Sequence, residues 1–535
     1  MIASPRSAPA DAPFPLGTPG RLLLCLCSVL FFRLGFPGGP LPFLAWVCLV
    51  PVSLAIHGLS PGRACLWALG SAALGWMASV WWITVGLTQW VRLSPSAAWT
   101  CASLFCLYAA IPYALGGGAW ALCRQPYRPR EALFASAFMT AAVSWFPQIF
   151  PGNPAHSLFD HPVPIQVLDL GGVPMLLFIL ILINRLVSGV IIGWTTRRGA
   201  LACGFMLILT AGAVLAYGHA RVRQIRDAEG RAESHMRLTV AAIQPNIPVP
   251  GLDHTAPEDR HNGLHTLFQL SEMASARSPE TGLIVWPEIP VSVPCDRIRA
   301  EGRSVEELSR DMGRPIMTPC IHREKVEGGL TQYANMAVLI RPDGVVPHPY
   351  TKRILVPFSE YLPLEEEIPL LRRIFPGAAR YEAGEDMVLV NPPGTDVRVI
   401  PTICYESIFT RHVREGVEAG GNLVVNMVDD AWFGPTAAST IHMALGVFRS
   451  VEYRIPLVRV TNSGDGVFVR ASGEILPGTR TPSFRKATRI RTLPIPGVRS
   501  PYARWGDIVL WGLTILAAAG WLRRIADGRK AGAIR

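Results

Sequence analysis

The chain has 535 residues, half of them hydrophobic and only 17% charged. Soluble proteins carry about a quarter charged residues, so this composition excludes both a disordered chain and an ordinary soluble enzyme. The net charge of +11 does not mark a nucleic-acid face: residues 219–504 balance 34 basic against 33 acidic side chains, while 1–218 hold 11 Arg, no Lys and four acids, and 505–535 hold five basic and two acidic. The excess base flanks apolar segments, where membrane topology puts it.

Taken in chain order, residues 1–218 read as a membrane domain of seven apolar runs, at 21–37, 41–57, 64–88, 97–119, 131–149, 164–194 and 199–217. Most reach the roughly 17–25 apolar residues that a bilayer requires. Residues 219–504 form one extramembrane domain, and 505–535 carry an eighth run, 506–522, and a basic tail. Arg6, Arg21, Arg63, Arg124, Arg128, Arg130, Arg197, Arg198, Arg523 and Arg524 fall on one side if seven spans precede the large domain. The positive-inside rule then puts both termini in the cytoplasm and 219–504 outside it, which in a bacterium is the periplasm.

Eight of the eleven Cys lie in the membrane part, where they serve as small apolar residues. Of the other three, Cys295 and Cys320 are candidates for a pair in an oxidising compartment, with three reduced thiols as the alternative. No spacing resembles a metal site, and no cofactor is expected.

In the large domain, β-branched runs at 237–246, 282–288, 336–342, 397–406, 422–428 and 457–464 read as strands. Residues 256–277 and 439–453 read as helices. The fold class expected is therefore a polytopic α-helical membrane region of about eight spans plus an extramembrane α/β domain with a two-layer sheet core. His442, within the second helix, reads as a hydrogen-bonded structural residue. Loops at 297–313 and 362–384 are long enough to act as lids or arms.

Several strands end in reactive side chains, as α/β sheets present them to ligands. The 282–288 run ends at Glu288, and the 397–406 run holds Cys404. Lys352 is one of only four Lys in a chain that uses Arg for nearly every other base. A cysteine nucleophile needs a base and a positive group for the developing oxyanion. Glu288, Lys352 and Cys404 supply those parts.

Their local contexts are more specific than their spacing. Trp-Pro-Glu at 286–288, Tyr-Thr-Lys-Arg at 350–353 with Pro-Phe-Ser-Glu at 357–360, and Ile-Cys-Tyr-Glu at 403–406 resemble the nitrilase (carbon-nitrogen hydrolase) superfamily, in that superfamily's order. Apolar runs on both sides of the domain make the whole chain resemble its membrane-embedded branch, the bacterial apolipoprotein N-acyltransferases. Supporting stretches are 242–247, 352–363, 430–434 and 501–504.

The resemblance implies a nitrilase-like α-β-β-α sandwich and a ping-pong acyl transfer. Cys404 takes an acyl chain from a membrane phospholipid as a thioester, and passes it to the N-terminal amine of a diacylglyceryl-cysteine on an apolipoprotein. It makes Glu288 the base, Lys352 the oxyanion partner, Glu360 an assisting carboxylate and Glu406 a support for the nucleophile loop. Phe358, Tyr405 and Trp432 are the expected substrate-binding residues, with Tyr361, Leu362 and Phe433 beside them. The partners implied are phospholipid, diacylglyceryl-apolipoprotein and the bilayer, with no nucleic acid. The place implied is the bacterial inner membrane. The chain departs from the family at 248–253, which lacks a Trp, at Asp429, where the family has Asn, and at Asp465. The competing readings are a membrane-tethered amidase acting on a small amide, and a transporter or scaffold with an inactive domain. Few polar residues interrupt the spans; Arg185 is the main one.

Overall fold

The computed structural model describes residues 16–123, 125–248, 257–288, 298–300, 302–325, 331–375 and 377–533. Arg6, Arg124, Cys295 and 249–253 lie outside these residues.

The first part is helical: α1 (Thr18–Gly35), α2 (Val50–Ala55), α3 (Pro61–Val80), α4 (Ile83–Gln89), α5 (Pro95–Ala121), α6 (Pro129–Trp145), α7 (Leu168–Ile192) and α8 (Arg197–Gly230). Among the described residues, five helices are long and apolar enough to cross a membrane. They are α1, α5, α7 with the turn before it, α8, and the C-terminal segment Ile508–Ile525. The run expected as one straight span at 64–88 is instead a bent pair, α3 and α4, meeting at 58°. The run at 41–57 is a short 3₁₀ turn followed by the six-residue α2. Helix α6 has 17 residues. Helix α7 breaks at Gly171 and Gly172, the latter at φ 63°, a conformation that favours glycine. Helix α8 continues past residue 218 to Gly230, because its charged final turns, RVRQIRDAEG, keep helical propensity after the apolar stretch ends.

The sheet-bearing part follows as β1 (Arg237–Gln244), α9 (Pro257–Arg277), β2 (Leu283–Val285), the small hairpin β3 (Arg299–Ala300) and β4 (Arg303–Ser304), then α10 (Val305–Met312), β5 (Ile316–Lys325), β6 (Thr331–Arg341), β7 (Gly344–Val345) and β8 (Tyr350–Thr351). After α11 (Leu370–Ile374) come β9 (Val399–Ile403), α12 (Thr410–Glu418), β10 (Leu423–Val428), α13 (Ala438–Tyr453), β11 (Leu457–Thr461), β12 (Val467–Val469) and β13 (Ala487–Pro494). The short α14 (Pro501–Trp505) leads into α15 (Ile508–Ala533).

Two mixed sheets result. One has seven strands in the order β13-β1-β2-β5-β6-β7, with β8 also on β6; the other runs β12-β11-β10-β9. Strands β1, β2 and β5 are mutually parallel, as are β9, β10 and β11. The sheets share one apolar core, in which Val240, Val285 and Leu339 of the first meet Val399, Val425 and Val458 of the second. Strands buried on both faces read as continuous apolar runs rather than alternating ones, as the fully buried β9, β10 and β11 do. Helices α9 and α10 cover the outer face of the larger sheet.

Helix α13 packs in one cluster with the smaller sheet and the membrane helices. Nearly every residue from Ile441 to Tyr453 is buried, the mark of a helix enclosed on all sides. Its charged end is paired across that junction. Asp169, at the start of α7, meets Arg454 Nη2 and Arg221 Nη2, each at 2.6 Å, and the Tyr217 hydroxyl at 2.6 Å. Glu452 Oε1 accepts from the Val173 N–H. Breaking such a buried pair by removing one partner costs about 3–5 kcal/mol, so these contacts fix the sheet-bearing part on the helical bundle.

Candidate active site

Strand ends deliver the reactive groups. Glu288 lies just beyond β2, Lys352 directly after β8, and Cys404 directly after β9. Cys404 sits at φ 53°. A non-glycine residue in that region costs about 1–2 kcal/mol and persists only where its surroundings over-determine it. Here they do. The Cys404 carbonyl accepts from Asn426 Nδ2 at 3.2 Å and Ser407 Oγ at 3.4 Å, and His442 Nε2 lies 3.1 Å away. His442 Nδ1 is 2.9 Å from Asp430 Oδ1, and Arg459 joins Asp430 and Asn426 through its two terminal nitrogens.

Lys352 is fully buried and donates from Nζ to Glu360 Oε1 at 2.6 Å; Glu288 Oε1 is 3.9 Å from the same nitrogen. Asn335 Nδ2 donates to Glu288 Oε1 at 2.9 Å, and Glu288 and Cys404 line the same cavity. Glu360 Oε2 accepts from the Val356 N–H at 2.8 Å, which anchors its far end.

Burial pushes the Glu288 carboxyl above the ordinary range; Lys352 opposes that shift and Glu360 adds to it. Burial, then Glu288, hold the Cys404 thiol well up, against the pull of Lys352. Burial disfavours the Lys352 ammonium, but Glu360, Glu288 and Cys404 outweigh it, so its pKa is raised and the group stays charged. The resting site is therefore a thiol beside a carboxylate of enhanced basicity, with a fixed positive charge close by. Such an arrangement can activate sulfur by proton transfer to the carboxylate during an attack, without a standing thiolate.

Glu406 does other work. Its Oε1 accepts from the Tyr350 hydroxyl at 2.6 Å, the Arg353 N–H at 2.6 Å and the Ile354 N–H at 3.1 Å, and its Oε2 from the Ile403 N–H at 2.8 Å. It ties the loop carrying Lys352 to the loop carrying Cys404.

A cavity of about 590 Å³ opens on the site. Glu288, Glu360 and Cys404 line its base, and Phe358, Trp432 and Phe433 line its wall. Its other wall is chain of the N-terminal helical part: Ile83, Gly86, Leu87, Trp90 and Val91, from α4 and the residues after it. Trp90 meets Trp432 edge to face, and Trp82 meets Phe433 likewise. Gly86 is needed here, since a Cβ would stand 2.9 Å from the Phe433 ring.

Tyr405 is not among the lining residues. Its hydroxyl donates to the Ile149 carbonyl and its ring packs edge-on against Phe409. Tyr361 and Leu362 are also outside the lining. Asn335 and the Asn426–Asp430–Arg459–His442 cluster are the groups that sequence reasoning did not assign to the site. Among the described residues, no group of three or more His, Cys, Asp or Glu could hold a metal ion. Cys320, in the cavity wall, is disulfide-bonded, and Cys404 is free.

Two family descriptions match this chain. Residues 239–499 match the carbon-nitrogen hydrolase family, and 28–186 match the apolipoprotein N-acyltransferase N-terminal domain. An apolipoprotein N-acyltransferase of Geobacter metallireducens is 26% identical over 94% of this chain and 95% of its own length. That of Azotobacter vinelandii is 28% identical over 96% of each. The chain belongs to the apolipoprotein N-acyltransferase family. A Pseudomonas putida member is 28% identical over 94% of this chain and 96% of its own. Among solved structures, an amidase from Nesterenkonia sp. aligns with 53% of this chain and 98% of that chain, at 20% identity and a TM-score of 0.35. The family thus joins the two halves seen here, a helical N-terminal part and a carbon-nitrogen hydrolase domain.

Proposed function

We propose that this chain is a membrane N-acyltransferase that moves a fatty acyl group from a phospholipid to the N-terminal amine of a diacylglyceryl-cysteine on an apolipoprotein. One observation carries the reading: Glu288 and Cys404, with Lys352 Nζ buried 3.9 Å from Glu288 Oε1, line a cavity walled on one side by α4 of the apolar helical part. A small soluble amide needs no such wall; a lipid acyl chain does.

The Cys404 thiol gives its proton to Glu288 as sulfur attacks the ester carbonyl. Lys352 stabilises the oxyanion. Collapse expels the glycerol oxygen, which takes the proton back from Glu288 and leaves as lysophospholipid. The amine of the second substrate then attacks the thioester and gives its proton to Glu288. The second collapse returns that proton to sulfur. The phospholipid ester supplies the acyl-transfer potential. Phe358, Trp432 and Phe433 are the groups proposed to hold the chain and keep water from the thioester.

The arrangement proposed is eight membrane segments, a nitrilase-like α-β-β-α catalytic domain from 219 to 504 and both termini in the cytoplasm of a bacterial inner membrane. The basic residues on one side support it. A disulfide at Cys320 fits an oxidising compartment such as the periplasm.

The test is turnover with phospholipid and a diacylglyceryl-cysteine peptide. The expected result is one N-acylated peptide per lysophospholipid released. Release of ammonia from small amides, with no acylated peptide, would favour the amidase alternative.

A further inference from the structure

We infer that Asp429 is an ammonium subsite in the cavity: it binds the protonated N-terminal amine of the acyl acceptor and removes the proton that blocks its lone pair. This rests on the membrane acyltransferase reading.

The first ground is position. Strands β9, β10 and β11 are parallel and their ends lie side by side: Met427 pairs with Ile403, and Val428 with Thr461. Cys404 follows β9, Asp429 follows β10 and Asn462 follows β11. Asp429 therefore leaves the strand next to the one that carries the nucleophile. It lines the cavity together with Cys404 and Glu288.

The second ground is an unused oxygen. Asp429 is 2% exposed. Its Oδ1 accepts from the Ala431 N–H at 3.1 Å and from Asn462 Nδ2 at 3.2 Å. Asn462 is itself fixed, since it donates to the Ile247 carbonyl and accepts from the Ile247 N–H, each at 2.8 Å. Asp429 Oδ2 is buried and has no hydrogen-bond partner among the described residues. The adjacent Asp430 differs: Arg459, His442 and Ser439 take up its carboxylate. A buried carboxylate oxygen without a donor is costly, and a donor carried in by a substrate removes that cost.

The third ground is charge. Glu288, Glu360 and Asp429 line the cavity with Arg323, and the buried Lys352 ammonium is held by Glu360 at 2.6 Å. Three carboxylates thus stand against two cations, which favours a cationic ligand over a phosphate at Oδ2. Burial raises the Asp429 carboxyl well above the ordinary range; the Ala431 N–H opposes that rise, and Glu288 adds to it. A carboxylate of enhanced basicity suits proton exchange with an α-amine, whose ordinary pKa is about 7.7–8.

The step balances. At neutral pH the α-amine is largely an ammonium, with no lone pair for attack. It donates an N–H to Asp429 Oδ2. The proton then moves to that oxygen: an N–H bond breaks, an O–H bond forms, and the electron pair stays on nitrogen. The neutral amine attacks the thioester carbonyl, and its next proton goes to Glu288 and from there to sulfur as the C–S bond breaks. Asp429 gives its proton to water when the amide product leaves.

The experiment compares the full chain with its Asp429→Asn variant in detergent. Each is acylated by phosphatidylethanolamine. The acyl-enzyme is then discharged by a diacylglyceryl-cysteine peptide or by hydroxylamine, which is unprotonated at neutral pH. The variant is expected to be slowed at least about tenfold more with the peptide than with hydroxylamine, the loss of one hydrogen bond to a charged group. An equal loss with both acceptors, or no loss with the peptide, would overturn the proposal. In parallel, Cys404→Ala with and without Asp429→Asn is titrated with the peptide and with its analogue bearing a hydroxyl in place of the α-amine. With Asp429 present the amine is expected to bind at least about tenfold more tightly than the hydroxyl, and Asp429→Asn to erase that preference. Equal binding of the two peptides with Asp429 present would contradict the subsite. An Asp429-dependent preference for the amine, in a chain whose Cys404 takes no acyl group from phospholipid, would sink the acyltransferase reading and leave the subsite in place.

Discussion

Lys352 Nζ stands 2.6 Å from Glu360 Oε1 but 3.9 Å from Glu288 Oε1. The ammonium thus pairs most closely with Glu360, and the proposed base is left only loosely compensated. Burial raises the Glu288 pKa, Lys352 pulls it down and Glu360 adds to the rise.

Glu360→Gln tests that division. Removing the Glu360 charge takes away a group that raises Glu288 and frees Lys352 to pair with it. Both changes lower the Glu288 pKa. The acid limb of the acylation rate is expected to move to lower pH, with a smaller maximal rate. An unmoved limb in the pH–rate profile would contradict the coupling.

Glu288 must be ionised to accept the thiol proton, and its folded pKa lies above the usual carboxylate range. Acylation is therefore expected to rise with pH through that raised value and to be lost below it. Glu288→Gln is expected to remove the limb and slow acylation by about 10²–10⁴-fold, the usual contribution of a positioned base. Single-turnover rates across pH check both.

Glu406 takes four hydrogen bonds and lines no part of the cavity. Glu406→Ala orphans the buried donors at Tyr350 and Ile403, at about 1–3 kcal/mol each. The expected outcome is a lowered Tm in detergent together with slower acylation, since the Lys352 and Cys404 loops lose their tie. Wild-type Tm would contradict this role.

Asp169 compensates both Arg454 and Arg221 at the junction of the two halves. Asp169→Ala leaves the buried Arg454 guanidinium without its carboxylate, beside the half-buried Arg221, and is expected to cost about 3–5 kcal/mol. Thermal unfolding of the full chain measures it.

The meeting of Glu288, Lys352 and Cys404 was legible in the sequence because residues at strand ends are locally encoded, in Trp-Pro-Glu, Tyr-Thr-Lys and Ile-Cys-Tyr-Glu. The resemblance makes Glu406 a support for the nucleophile loop, and its carboxylate accepts from Tyr350, Arg353, Ile354 and Ile403. Asn335 was not legible, since an Asn within β6 meets Glu288 only through the pairing of β6 with β5 and of β5 with β2. The cavity wall was missed for a similar reason. Hydropathy sees one run at 64–88, and the 58° bend that turns α4 toward Trp432 and Phe433 leaves no mark on apolarity. Tyr405 flanks the nucleophile in sequence, yet its ring lies against Phe409 rather than in the cavity. Strand β5 escaped notice because Pro319 and the charged end HREK hide its period.

The most direct measurement is the intact mass of the purified chain after incubation with phospholipid alone, beside Cys404→Ala. A gain of one acyl chain, absent in the variant and discharged by a diacylglyceryl-cysteine peptide, is the predicted result. No gain, while a thiol reagent still labels Cys404, would contradict an acyl-enzyme at this site.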